Sequence, residues 1–251
     1  MFHKLFPKFQ QDVGMSFTKL DLHEIEATAH KLSLRIGDRF PDSGLFRISQ
    51  ELLTISRQTE NQIREIKRPI WWLRISSYLC LIFFLTLLSY GMLLIINNFT
   101  LGIENITELM QGVESGTNEL ILIGIISYFL FSLEAKFKRN LALKSLHQFR
   151  SLAHVVDMHQ LTKDPSVLLN VNKTSSSPER SFTKFEMVRY LDYCSEILVL
   201  VGKLSVIYAQ YMEDERILNS VNDVENITQN LSNKIWQKIM ILDLSENNQI
   251  I

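Results

Sequence analysis

His147, Arg150, His154, Asp157 and Leu161 follow a 3-4-3-4 spacing, so four polar side chains share one face of a helix. Those residue types admit three kinds of chemistry. His154 and Asp157, one turn apart, would share a metal ion if His159, Asp192 or Glu196 supplied a third ligand. A nuclease pair of the Arg-x4–6-His type needs four to six intervening residues. Here three residues separate Arg150 from His154 and eight separate it from His159, so neither pair fits. The third reading is a polar seam between helices, in which Arg150 or the histidines meet Asp192 or Glu196. Such a seam fixes register and partner choice more than it adds stability, and its histidines would respond to pH. Asp192 and Glu196 themselves lie one turn apart. With no Gly-rich loop, serine elbow or HExxH pattern nearby, they read as salt-bridging residues. No catalytic, cofactor or metal site is assigned from these residues.

The elements that must carry this face are dominated by two apolar runs. Ile75 to Ile96 has 22 residues and no charge. At 1.5 Å per residue it crosses a hydrocarbon core of about 30 Å. Leu120 to Leu133 has 14 residues and reaches that length only if Thr117, Asn118 and Glu119 at one end and Ala135 and Lys136 at the other touch the headgroups. A membrane hairpin follows, with spans 70–97 and 119–136 and an external loop over 98–118. Two spans leave roughly 200 residues in water, which excludes a polytopic transporter. Arg64, Lys67, Arg68 and Arg74 precede the first span; Lys136, Lys138, Arg139 and Lys144 follow the second; the loop between has no Lys or Arg. The positive-inside rule then places both termini in the cytoplasm. Trp71, Trp72, Arg74, Lys136, Lys138 and Arg139 are the expected interface anchors. Neither span has a charge in its core, so any pore needs several copies. Net charge is −1 and the two cysteines form no CxxC pattern; direct nucleic-acid binding and a disulfide framework are not expected.

The rest of the chain reads as helical. Residues 1–18 are an expected arm, followed by N-terminal cytoplasmic helices over 19–69. Ile25, Ala29, Leu32 and Ile36 share a face in the first of these. Pro41 and Gly44 make a turn, with Asp42 or Ser43 capping the next helix. That helix, Gly44 to Arg68, carries Leu45, Ile48, Leu52, Ile55 and Ile66 as a pairing seam that calls for a partner in this chain or in another subunit. The outer segment predicts a short surface helix ended by Gly112 and Gly116. The second span continues to about Thr162, where Asp164-Pro165 stops it. A flexible loop is expected over 163–182 within a C-terminal domain spanning 137–251. Thr183 or Ser181 then caps a helix to about Met212. Lys203 near its centre argues against a third span over Ser195 to Met212. A final helix carries Ile217, Val221, Val224, Thr228, Leu231, Ile235 and Ile239 at 3-4 spacing. The fold class is all-α, a two-helix hairpin joined to a cytoplasmic bundle.

RFPDSGL at 39–45, HQFRSLAHVVDMHQLTKDP at 147–165 and YLDYCSEILVLVGKLSVIYAQ at 190–210 resemble stretches of small bacterial membrane proteins with two transmembrane helices, some of them effectors of anti-phage defence encoded beside retron reverse transcriptases. The resemblance implies an inner-membrane toxin restrained by a reverse transcriptase bound to its RNA–DNA product and released by infection. It assigns no residue a role. The expected function is therefore a homo-oligomerising effector that makes the bilayer leaky after assembling through the 44–68 seam and the bundle. A non-toxic scaffold or sensor recruiting a cytoplasmic partner is the alternative, and a membrane-bound hydrolase using the His/Arg/Asp face ranks third.

Overall fold

Capping side chains define where the first helices begin. A computed structural model of the protein describes residues 19–98, 106–161, 163 and 182–247. The expected arm 1–18, nearly all of the loop 163–182 and the Asp164-Pro165 stop lie outside the described residues. Helix α1 (Leu22–Arg39) starts at Asp21, whose carboxylate accepts a hydrogen bond from the His23 amide at 2.8 Å. Helix α2 (Gly44–Lys67) starts at Ser43, whose hydroxyl accepts from the Phe46 amide at 3.1 Å. The chain turns extended at Arg68, as the residue before a proline prefers, and α3 (Trp71–Asn98) begins as a separate helix. Helix α4 (Ile106–Leu161) is 56 residues long, about 84 Å at the α-helical rise. Thr183 opens α5 (Lys184–Tyr211) with a capping box, its hydroxyl taking the Glu186 amide while the Glu186 carboxylate takes the Thr183 amide. That bonding holds the Glu186 carboxyl below its ordinary range. Helix α6 (Glu215–Asn247) completes the described chain.

Among the described residues five helices form a bundle: α1, α2, the second half of α4, α5 and α6. Cross-helix pairs give their directions. His23 meets Glu60, and Gly37 abuts Phe46, so α1 and α2 are antiparallel. Glu196 takes the Arg35 guanidinium, and Leu20 bonds Gln210, which sets α1 antiparallel to α5. Arg139 meets Asp214 at 3.2 Å, while the Lys238 ammonium donates to Gln160 at 2.7 Å; α4 and α6 therefore run parallel. The core holds Leu32, Ile36, Leu146, Phe149, Leu198, Leu204 and Tyr208, all fully buried. Inside it, Ser145 and Tyr208 both donate to the side-chain oxygen of Gln62, joining α2, α4 and α5. At the end of the bundle away from the hairpin, Phe40 packs edge-on against Phe182, Tyr190 and Tyr193.

Among the described residues, two helices, α3 and α4, are long and apolar enough to cross a membrane. They pack on each other as a hairpin, and only 6% of each apolar window is buried. Helix α5 is different: Ile197, Leu198, Val201, Leu204, Ile207 and Tyr208 are buried within the bundle, and Lys203 faces solvent. Its apolar run is core.

Two expectations are corrected. The outer segment does not form a short helix of its own. Helix α4 starts at Ile106 and continues through Gly112 and Gly116, claiming most of the expected loop 98–118. A β-carbon at Gly116 would touch nothing, so the glycine answers no steric need. An unbroken helix keeps every backbone group bonded, which outweighs the roughly 1 kcal/mol that each glycine costs. The second correction concerns the 44–68 seam. Leu45, Ile48, Leu52, Ile55 and Ile66 are all buried against the chain's own α1, α4 and α5, so this seam is not free to join subunits.

Candidate membrane-interface site

Arg74 sits just inside α3 and Glu134 just past the apolar run of α4. An antiparallel hairpin brings those two positions to one level. The Arg74 guanidinium grips both carboxylate oxygens of Glu134, at 2.8 and 3.3 Å. Lys138, one turn along α4, reaches the same carboxylate at 2.9 Å. The Ile70 amide adds a longer bond at 3.3 Å, which satisfies a backbone donor just before α3. One acid therefore serves two cations and the entry to a helix. It is only 15% exposed, which strengthens each contact relative to one in open water. Five residues along α4 from Glu134, Arg139 holds Asp214, whose carboxylate also accepts from the Arg216 amide at the start of α6. Helix α4 thus carries both the Glu134 cluster at the hairpin base and the Arg139 link to the bundle.

Trp71 and Trp72 flank this cluster and are 68% and 71% exposed, with Lys136 exposed on α4. All six expected anchors fall at the base of the hairpin. Glu134, outside the expected anchors, organises two of them. Its sequence signal is an acid directly after an apolar run, in a hairpin whose other helix opens with an arginine.

The expected polar seam is not assembled. Arg150 turns to α6 and meets Asp223 at 2.6 Å. Asp157 accepts from Gln160 on its own helix, and His147 and His154 are exposed. Asp192 pairs with Arg189 on α5 at 3.1 Å, and Glu196 takes Arg35 from α1. Lys203 is exposed on α5. These residues share helical faces, yet α6 and α1 stand where the seam required α4 to face α5's acids. His159 has another use. A β-carbon on Gly44 would lie 2.3 Å from its Nε2, so the bare glycine lets the end of α4 cross the start of α2.

Among the described residues, the group whose geometry suits a metal ion is His23, Glu26 and Glu60, with ligand atoms within 4.8 Å of one another. Arg57 already pairs with Glu26 and Arg64 with Glu60, so each carboxylate has its cation. Cys194 is fully buried, and burial pushes its thiol up to about 12. Compared with protein families, with curated proteins and with solved structures, the chain has no match in any of the three.

Proposed function

We propose that this chain is a bacterial inner-membrane effector that makes the bilayer leaky, leading to growth arrest, with its helical bundle and both termini in the cytoplasm. One observation carries the membrane part. Large apolar side chains of the hairpin point outward: Ile82, Phe83, Tyr90, Ile125, Tyr128 and Phe129 are each more than half exposed. A core helix hides its apolar residues, whereas these are left uncovered among the described residues, and hydrocarbon is the solvent that suits them. Lys and Arg gather at the bundle end of the hairpin, which supports the orientation.

The disruptive part rests on a length mismatch. Fourteen apolar residues of α4 span about 21 Å, roughly 9 Å less than the hydrocarbon core. With Arg74 level with Glu134, antiparallel pairing puts Glu119 near the level of Ser89, well inside the reach of α3. A short span thins the bilayer or drives association. Assembly then falls to the hairpin itself, since the 44–68 seam is occupied. Defence against phage, and restraint by a reverse transcriptase with its RNA–DNA product, rest on the resemblance.

The test is dye release from vesicles reconstituted with the purified chain. Wild type should empty them. Glu119→Leu lengthens the apolar run by one residue, removes its charge, and should slow release several-fold at equal insertion. Tight vesicles with fully inserted wild-type protein would refute the leak. That result would favour the scaffold reading, which one observation supports: Met158, Leu161, Trp236, Met240, Ile241 and Leu244 are exposed at the far tip of α4 and α6, where a cytoplasmic partner could bind.

A further inference from the structure

Where α1 begins and α2 and α5 end, a cleft of about 900 Å³ opens at the hairpin end of the bundle. Its level follows from three contacts. Leu20 and Gln210 exchange hydrogen bonds of 2.8 and 3.3 Å, which seats the chain before α1 beside the end of α5. The Lys67 ammonium lies 3.9 Å from the centre of the Tyr211 ring. Only Arg68, Pro69 and Ile70 then separate Lys67 from Trp71, so it stands within roughly 14 Å of the start of α3. Lys203 lies about 12 Å further into the cleft along α5.

The charges lining it are uneven in availability. Asp21 caps α1, and Glu60 is held by Arg64. Among the described residues no carboxylate pairs with Lys19, Lys67 or Lys203; Glu24 has no cation, and Asp21 is bonded to the His23 amide. We propose that this cleft seats the headgroup of an anionic phospholipid. Lys19 and Lys67 draw the phosphate in at the mouth, Lys203 extends the positive field inward, and Leu20 and Tyr211 meet the first methylenes of the acyl chains. The inference rests on the membrane placement proposed above, because that placement brings the cleft to the headgroup layer.

The test uses the full chain purified in a neutral detergent. Thermal unfolding is followed while short-chain phosphatidylglycerol, phosphatidylcholine of the same chain length, or inorganic phosphate is titrated in. Phosphatidylglycerol should raise Tm by several degrees and saturate, with little response to the other two. Lys19→Gln with Lys203→Gln, both at exposed positions, should weaken the apparent affinity at least tenfold while leaving the unliganded Tm in place. Lys67→Gln should weaken binding as well, and Lys67→Arg, which keeps a cation over the Tyr211 ring, should retain it. Equal responses to the two lipids, an equal response to inorganic phosphate, or an unaltered double variant would overturn the proposal. The titration needs neither insertion nor leak, so its failure is distinct from a failure of the effector reading.

Discussion

Glu134 shows how one side chain can organise a boundary. It is an acid at the end of an apolar run, where an isolated charge would be costly, and it is kept by Arg74, Lys138 and the Ile70 amide. Glu134→Gln preserves its size and removes its charge. We expect Tm in detergent to fall by a few degrees, with a smaller fall in high salt where the wild-type pair is already weakened. No change in Tm would mean that the cluster is incidental. Cys194 offers a second check at this scale. Its thiol, pushed up to about 12 by burial, is protonated throughout the neutral range, and the thiolate is the reactive form. Alkylation of Cys194 at pH 8 should require unfolding, so labelling should track the melting curve. Rapid labelling of native protein would contradict the packing of α5.

Helix α2 carries the lesson at the scale of elements. Its seam was legible as a 3-4 pattern, and the pattern is right: Leu45, Ile48, Leu52, Ile55 and Ile66 are buried. Periodicity tells which face is covered and is silent about which chain covers it. Leu52→Asp therefore tests folding. A charge placed at a fully buried site should cost on the order of 4 kcal/mol or more and unfold the bundle. A soluble, cooperatively melting variant that had merely lost self-association would show that the seam joins subunits. Caps were equally legible: Ser43 and Thr183 were both among the expected capping residues. The polar face over 147–157 was legible as a face, yet its partners depended on how α5 and α6 rotate around α4, which no local spacing encodes. The pairing of Gln62 with Ser145 and Tyr208 is hidden for the same reason. Gly112 and Gly116 sit inside α4 because glycine weakens a helix without having to end it.

At the scale of the whole molecule, the unbroken α4 is the feature that relates the parts. It leaves the hairpin, passes the Glu134 cluster and continues into the bundle core through Ala142, Leu146, Phe149 and Val156 without a hinge among the described residues. Any rotation imposed on the bundle end is carried by a continuous hydrogen-bonded helix to the apolar end. A partner holding the far tip of α4 and α6 would thereby restrain the hairpin without touching it. The proposed leak through the hairpin is measured most directly as the membrane potential of bacteria induced to make the full chain alone. Depolarisation that precedes growth arrest is expected, with the chain extracted only by detergent. Polarised, growing cells carrying the same amount of inserted protein would contradict it.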